Sequence, residues 1–363
     1  MHTAIVIDET GSQSAIQNTV QLLSDVNTFA DIIIVSSKAR PDGLPQGIWI
    51  SSDNLVEGFS QATAIAAGKR VLVVNSKLTF NVTDLSKLTV EIEKCGILEH
   101  LIIAPLLDGA STLDIPEITP ETIVSSLTRY DSWPLMCVAT SRYSLSAIST
   151  DSTESVTELI AQSLIRSIAE GDSVRVSSLI TPRVQGPHTI QTCILSQKAK
   201  ARCLRCAVDA MNIEEMFPNH NWITFSKESA AASYHSLAAL FLRFEDPASA
   251  EECLACSEQL EESPRYFALQ GLIQKANGET LGAVANLVSS LQCYEERKTK
   301  SGNHYLSFSP GNLDALKAQL ADGLDALNKR DNSRALESFS EAVFTFDSFY
   351  AEHGVIVPPR QRD

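Results

Sequence analysis

The sequence lacks any apolar run that approaches the about 20 residues a helix needs to cross a bilayer. Its opening, MHTAIVIDET, enters a strand-like run directly, without the charged region and the longer apolar region of a secretory signal peptide. We therefore expect a cytoplasmic protein with no membrane partner, whose eight cysteines are mostly reduced.

Positive charge is also scarce. The chain has 29 Lys and Arg against 44 Asp and Glu, which gives a net charge of -15. Because a duplex-binding surface needs clustered basic residues, nucleic acid and anionic membrane are not expected as partners. Hydrophobic residues make up 44% of the 363 residues, an ordinary globular balance and a length sufficient for two domains.

Several common site motifs are missing as well. The sequence contains no Gly-x-Ser-x-Gly, Walker A or Gly-x-Gly-x-x-Gly motif, and its seven His have no paired ligand spacing. Two Cys-x-x-Cys pairs, Cys203/Cys206 and Cys253/Cys256, lie 47 residues apart (206 to 253) within helical sequence rather than on zinc-ribbon turns. Two packed helices could present four thiolates to a metal. We prefer the interpretation that these are small apolar side chains at helix contacts.

Short β-branched runs alternate with amphipathic helices over the first half of the chain. The predicted strands are 4–7, 31–35, 48–50, 70–74, 101–104, 134–139 and 174–176. The predicted helices are 14–23, 54–68, 83–93, 122–129, 144–148 and 155–170, and residues 182–187 are predicted to be a linker. This alternation predicts a mainly parallel sheet with helices on its faces.

After about residue 195 only helical periodicity remains. Aromatic, small and bulky residues recur at fixed offsets in three places: Tyr234, Ala238, Ala250 and Leu254; Phe267, Gly271, Ala283 and Leu287; Gly323, Ala335, Phe339 and Ala342. The first two groups are 33 residues apart, and the third follows an interrupting segment at 298–310. This spacing resembles degenerate tetratricopeptide repeats, which form one continuous helical domain. The alternative is a generic helical bundle.

The stretch 54–80 predicts a ligand site. It combines an amphipathic helix, a buried strand and the polar triplet Asn75-Ser76-Lys77 at the carboxyl end of that strand. In open α/β sheets, ligands bind outside the carboxyl ends of the strands.

The order of elements over residues 3–176 resembles the GT-A fold glycosyltransferases of family two. The resemblance depends on AIVIDET, DIIIVSS, Ala66 and Gly68 before the strand VLVV, LIIAPLLDG, and the spacing of Arg166 and Gly171. It implies a nucleotide-sugar donor, an Asp-x-Asp that holds a divalent cation on the diphosphate, and a carboxylate base.

Carboxylates are missing at each of these points. Ser36-Ser37 follow the second strand, and Asn75-Ser76-Lys77 replace Asp-x-Asp. Leu159-Ile160 occupy the position of the base, with Glu158 one residue out of phase. We therefore predict no catalytic residue and no divalent metal, but a degenerate nucleotide-sugar cleft formed by Asp8, Glu9, Ser36, Asn75, Lys77 and Arg142.

Several of these residues have two interpretations. The Lys77 ammonium could replace the metal beside a diphosphate, or it could be a solvated lysine at a strand end. Asp8 and Glu9 could act as surrogate acids, although an ordinary polar turn is the preferred interpretation. Arg142 could face the nucleotide cleft, as a basic residue of the family does, or lie on the surface.

We predict a GT-A-like domain over 1–185, a tetratricopeptide-like domain over 196–350 and a C-terminal tail over 351–363. The leading hypothesis is a catalytically degenerate partner or scaffold subunit that binds another protein through its repeats. Protein glycosylation is a candidate process for this role. The alternative is an active, metal-independent glycosyltransferase that modifies a protein held by the repeats. A third hypothesis is a purely structural subunit of a homo- or hetero-oligomer.

Overall fold

The computed structural model describes residues 2–9, 12–26, 28–42, 47–96, 98–104, 106–107, 110–111, 117–128, 135–147, 153–177, 179–180, 182–184, 195–217, 227–258, 263–301 and 310–346. The chain divides into two compact units, Met1–Met216 and Phe217–Asp363. The predicted tail, 351–363, lies outside the described residues.

The first unit contains both strands and helices. Its strands are β1 (His2–Asp8), β2 (Phe29–Ser36), β3 (Ile48–Ser51), β4 (Arg70–Asn75), β5 (Leu78–Thr79), β6 (Glu99–Ile103), β7 (Leu106–Leu107), β8 (Ala110–Ser111), β9 (Glu117–Ile118), β10 (Cys137–Ser141), β11 (Ser173–Ser177) and β12 (Arg183–Val184). Its helices are α1 (Gln13–Asp25), α2 (Leu55–Ile65), α3 (Val82–Lys94), α4 (Pro120–Thr128), α5 (Arg142–Ser146), α6 (Val156–Ala169), α7 (Gln197–Ala210) and α8 (Ile213–Met216).

Eight of these strands form the main sheet, in the order β3-β2-β1-β4-β10-β6-β11-β9. Most neighbouring strands are parallel, but β10 is antiparallel to both β4 and β6, and β9 is antiparallel to β11. The chain places β2 and β3 on one side of β1 and then returns to place β4 on the other side. The carboxyl ends of β1 and β4 therefore form a topological switch point, where α/β proteins bind ligands.

The sheet is buried on both faces. Alternate residues of β1, Ala4 and Val6, contact a cluster that includes Ile16 and Val20 of α1 and Leu88 of α3. The opposite face packs against α2. This two-sided burial explains why the strands are continuous apolar runs rather than alternating ones.

Gly68 fixes how the chain enters β4. Its backbone N–H donates to Thr3 Oγ1 at 2.9 Å, and an added Cβ would lie 2.7 Å from the Thr3 backbone nitrogen. A side chain larger than hydrogen would push β4 away from β1. The small residue that the sequence places before this strand is therefore required by backbone packing.

Two local predictions need correction. Residues 182–187 are not a simple linker, because β12 pairs with β5 and β7 in a second sheet of order β5-β12-β7-β8. Residues 185–194 lie outside the described residues. The strand predicted at 134–139 is displaced to Cys137–Ser141, and the helix predicted at 144–148 begins earlier, at Arg142, where Ser141 caps it.

The described part of the second unit is helical. Its helices are α9 (Lys227–Arg243), α10 (Pro247–Glu258), α11 (Pro264–Ala276), α12 (Thr280–Ser301), α13 (Pro310–Asn328) and α14 (Asn332–Phe346). They pack as successive pairs, α9 with α10, α11 with α12, and α13 with α14. The predicted fold class, an α/β domain with a mainly parallel sheet followed by an all-α domain, is confirmed for the residues that the structure describes.

Small residues lie where the helices of a pair touch. A Cβ on Gly271 would lie 2.8 Å from Leu287 Cγ, and one on Gly323 would lie 2.8 Å from a ring carbon of Phe339. In the first pair, Ala238 and Ala250 are fully buried. The residue seven positions after this small residue, Glu245, Gly278 or Arg330, lies two residues beyond the end of the first helix and has a positive φ.

The first unit extends beyond the predicted domain boundary. Helices α7 and α8, which the sequence assigned to the helical domain at 196–350, belong to the unit that ends at Met216, because α7 packs on α6 and α8 on α4. None of the described helices combines the length and the apolar character needed to span a membrane.

Candidate functional site

Five of the six predicted site residues lie at or beside the carboxyl ends of β1, β2 and β4. Asp8 pairs with Ser36 in the register of β1 and β2, and Ile7 pairs with Asn75 in that of β1 and β4. Glu9 follows β1, and Lys77 follows β4. We call the set Asp8, Glu9, Ser36, Asn75, Ser76 and Lys77 the carboxyl edge.

Asp8 is held between two hydroxyl groups. Ser36 Oγ donates to Asp8 Oδ2 at 2.7 Å, and Ser76 Oγ lies 3.5 Å from Asp8 Oδ1. Asp8 is only 3% exposed, and both serines are fully buried. The carboxylate is therefore directed at groups of its own sheet.

The turn after β4 is fixed by its backbone. Asn75 N–H donates to the Met136 carbonyl at 2.7 Å, and Ser76 N–H donates to the Ile7 carbonyl at 2.9 Å. Asn75 Oδ1 accepts the Lys77 backbone N–H at 3.0 Å. The amide of Asn75 thus stabilises a tight turn, a role that its position allows without any ligand.

Lys77 is buried in an ion pair. Its Nζ lies 3.2 Å from Glu9 Oε2, and the two side chains are 7% and 18% exposed. This burial contradicts the interpretation of Lys77 as a solvated lysine at a strand end. The Glu9 carboxylate already offsets the charge that a diphosphate would need.

The carboxyl edge provides two carboxylates, Asp8 and Glu9, with serine hydroxyls and one ammonium. Hard cations in proteins need more oxygen ligands than this pair supplies, unless water or substrate completes the shell. Among the residues that the structure describes, no group of three or more His, Cys, Asp or Glu could hold a metal ion.

Arg142 lies at the opposite end of the sheet from the other predicted site residues. Because β10 is antiparallel to β4, its last residue, Ser141, pairs with Arg70 at the amino end of β4. Arg142 donates from its backbone to the Lys69 carbonyl at 3.0 Å and from Nη1 to the Ala66 carbonyl at 2.6 Å. Its inclusion in the cleft was wrong, since the sequence does not reveal the direction of β10.

Glu158, the acid nearest the expected base, serves the packing of α6 on α7. It is fully buried, and Arg202 of α7 donates to it from Nε at 2.5 Å and from Nη2 at 2.9 Å. It also accepts from Gln162 Nε2 and from the Glu154 backbone. The spacing Ser155-x-x-Glu158 is typical of a capping box and indicates the hydrogen bonds at the start of α6, but it does not indicate the contact with Arg202.

Sequence reasoning missed a buried polar set on the neighbouring strands β6 and β10 of the main sheet. His100 is fully buried, with Nδ1 2.7 Å from Thr140 Oγ1 and Nε2 3.0 Å from Asp172 Oδ2. Burial lowers the pKa of His100, and Asp172 opposes this shift. Because Thr140 is also fully buried, substrate cannot reach its hydroxyl, and we interpret the set as structural.

The two Cys-x-x-Cys pairs belong to different units. Cys203 and Cys206 lie on α7, and Cys253 and Cys256 lie on α10. Cys203 is fully buried, and burial raises the pKa of its thiol. Cys253 is also buried, whereas Cys256 is exposed.

No protein-family model matches the chain, and no curated protein sequence matches it. Solved structures similar to it include S. aureus TarS 1-349, at 13% identity and a TM-score of 0.45, over 94% of this chain and 91% of that one. Glucosyl-3-phosphoglycerate synthase from Mycobacterium tuberculosis, in complex with phosphoglyceric acid, has 13% identity and a TM-score of 0.42 over 56% and 79%. The mannosyltransferase PcManGT from Pyrobaculum calidifontis, in complex with GDP-Man and Mn2+, has 13% identity and a TM-score of 0.39 over 80% and 86%. At these identities and scores, the similarity does not assign the ligands or reactions of those proteins to this chain.

Proposed function

We propose that this chain is a glycosyltransferase-like protein that does not transfer sugar from a nucleotide-sugar donor. It acts as a partner or scaffold subunit in a protein complex, and protein glycosylation is the process we propose for that complex. The observation that carries the proposal is the carboxyl edge. There Lys77 and Glu9 pair at 3.2 Å, and the buried Asp8 accepts a hydrogen bond from Ser36. The side chains that would face a nucleotide-sugar donor are in contact with one another instead.

The energetics of this edge support the proposal. A diphosphate needs a metal ion or a cation that it can approach, and Lys77 is occupied by Glu9. A nucleotide-sugar would have to displace the Glu9 carboxylate from Lys77, and the energy lost in breaking that ion pair reduces the affinity that the Lys77 charge can contribute.

The second unit supports a binding role. It contributes three successive helix pairs with small residues at the contacts, a spacing similar to that of tetratricopeptide repeats. Stacked helical repeats form extended surfaces that bind peptide segments or partner proteins. The partner is therefore another protein, either a different chain or a second copy of this one.

The direct test is calorimetric titration of the full chain with UDP- and GDP-sugars, with and without manganese. We expect no binding at ligand concentrations up to about 1 mM, which corresponds to about 4 kcal/mol of binding free energy. Micromolar binding accompanied by hydrolysis or sugar transfer would overturn the proposal.

The second candidate is an active, metal-independent glycosyltransferase with a nucleotide-sugar donor and a protein acceptor. One observation favours it: the Lys77 ammonium lies beside the carboxyl end of β4, where a fixed positive charge would meet a diphosphate. Under this alternative, Lys77→Ala abolishes turnover, and Lys94→Ala, on the exposed end of α3, leaves it unchanged. Equal turnover in both variants would remove the alternative.

A further inference from the structure

A cleft of about 600 Å³, lined by both polar and apolar groups, lies between α6 and α7. Its volume falls in the range of about 300–1,000 Å³ that is typical of small-molecule sites. Its polar lining is Gln162, Arg166 and Glu170 from the end of α6, with Arg202, Arg205, Cys206 and Asp209 from α7.

This cleft is distinct from the carboxyl edge. Glu158 contacts Arg202, and one turn later the Gln162 carbonyl lies 3.9 Å from Cys206 Sγ, so the two helices run in the same direction. The cleft follows their C-terminal halves. Helix α6 then leads into β11, whose first residue pairs with the first residue of β6, at the amino end of the parallel strands.

The three arginines of the cleft differ in how their charges are offset. Arg202 is neutralised by the buried Glu158. Arg205 pairs with Asp209 at 3.1 Å, but both side chains are substantially exposed, at 40% and 60%. Exposed pairs of this kind contribute about 1 kcal/mol or less, so Arg205 can exchange Asp209 for a stronger ligand.

Arg166 makes no ion pair within the described residues, although the Glu170 and Asp209 side chains line the same cleft. Its Nη1 donates to the Ala147 carbonyl at 3.1 Å, and its guanidinium contacts the Cys206 thiol. It is exposed to solvent at the cleft. In a chain of net charge -15, this is an unusual local concentration of guanidinium groups.

The ends of the two helices would oppose an anion, because free carbonyls give a helix C-terminus a negative potential. At the end of α6 that effect is reduced. The backbone N–H groups of Glu170, Gly171 and Asp172 donate to the carbonyls of Arg166, Ile168 and Ser167, at 2.9–3.0 Å. These carbonyls are therefore satisfied within the turn.

We propose that the α6–α7 cleft binds a small molecule through a carboxylate or phosphate group, which Arg166 and Arg205 hold. The planar guanidinium fork matches both groups and donates two parallel hydrogen bonds to either. The remaining volume of the cleft, lined by Gln162 and Cys206, receives the rest of the ligand.

Cys206 provides a reporter for this site. Burial raises the pKa of its thiol and Arg166 opposes that shift, but the side chain lines the cleft and is partly exposed. The experiment labels the full chain with N-ethylmaleimide at constant ionic strength, with sodium phosphate, sodium citrate or sodium chloride. Peptide mass spectrometry measures the rates at Cys206 and at Cys256, an exposed thiol of the helical unit that serves as the internal reference.

We expect phosphate or citrate, at about 10 mM or less, to slow labelling of Cys206 at least threefold relative to chloride, with Cys256 unchanged. Protection by phosphate at the lower concentration assigns a phosphate ligand, and protection by citrate assigns a carboxylate ligand. For each variant, the rate of Cys206 labelling in chloride is divided by the rate in phosphate or citrate. A difference in the Cys206 thiol pKa between variants therefore cancels from this ratio.

Arg166→Gln and Arg205→Gln should each reduce the protection to less than 1.5-fold, whereas Arg166→Lys should retain part of it. The matched control is Arg183→Gln, an exposed arginine of β12 outside the cleft, which should keep the full effect. Absence of protection by both anions, or equal protection after either glutamine substitution, would overturn the proposal.

Discussion

His235 shows how one residue links burial to pH. It is 3% exposed on α9, and its Nε2 has no hydrogen-bond partner among the described residues. Burial, with a smaller contribution from the Arg265 charge, lowers its pKa to about 4. The imidazole is therefore neutral in the folded chain at pH values where an exposed histidine, with a pKa near 6.5, already binds a proton.

The first prediction follows from this difference. Between about pH 6.5 and pH 4 the unfolded chain binds more protons at this site than the folded chain does, so stability is lost as the pH falls. The full loss is about 3 kcal/mol of unfolding free energy for the helical unit. Below about pH 4 both states carry the proton, and the contribution becomes constant.

His235→Leu should remove this loss and also the unsatisfied Nε2. Urea unfolding of the full-length variant and wild type, followed by circular dichroism between pH 7.5 and pH 4, measures the difference. Groups shared by both proteins, including His100, cancel in the comparison. Superimposable pH profiles would contradict the prediction.

At the scale of elements, Glu158 fixes α7 on α6. Its carboxylate is fully buried and accepts two hydrogen bonds from the Arg202 guanidinium. A buried carboxylate that loses its cation retains the cost of desolvation without compensation.

Arg202→Ala should therefore lower the unfolding free energy of the first unit by about 3 kcal/mol. Arg205→Ala, one turn later on α7, is the matched control, because its pair with Asp209 is exposed and should contribute less than about 1 kcal/mol. Chemical denaturation of the two variants gives both values. Equal losses would show that the Glu158 contact does not stabilise the packing of α6 on α7.

The helix pairs of the second unit share one turn. In each, the residue with positive φ donates to a carbonyl three residues back, and the next residue donates five back, which is the Schellman motif. Gly278 suits this conformation, with φ +81°, whereas Arg330 adopts φ +60° with a side chain.

Arg330→Gly should stabilise the helical unit by about 0.5–1 kcal/mol, since relief of the left-handed strain exceeds the added entropy of the unfolded glycine. Gly278→Ala is the reciprocal variant. It should cost about 1–2 kcal/mol through backbone strain at positive φ. Steric contact adds nothing to this cost, because an added Cβ there meets nothing within 4 Å. Thermal unfolding monitored by circular dichroism tests both, and a destabilised Arg330→Gly would contradict the argument.

At the scale of the whole molecule, the boundary between the units is the feature to test. A fragment of residues 1–216 retains α7 and α8 on the sheet unit, whereas a fragment of 1–195 removes the partner of the buried Glu158. We expect the longer fragment to unfold cooperatively, with the shorter one destabilised by at least about 3 kcal/mol. Fragments of equal stability would place the boundary at 196 after all.

Much of the sheet was predictable from local pattern. The runs AIVI, DIIIV and VLVV are buried strands, because β-branched residues without alternation are typical of parallel strands covered on both faces. The gathering of Asp8, Ser36 and Asn75 at one edge followed from the same alternation, since parallel strands end together. Arg142 could not be placed correctly, because no local signal gives the direction of β10.

The sequence by itself determined the strands β1, β2 and β4, the helices between them and the polar residues that follow these strands, because these depend on local periodicity and chain order. Only the tertiary structure decided what those residues contact. Lys77 meets Glu9 across 68 residues of chain, and Arg202 meets Glu158 across 44. Such ion pairs form because a charge buried by packing must find a counter-charge in space, wherever that residue lies along the chain.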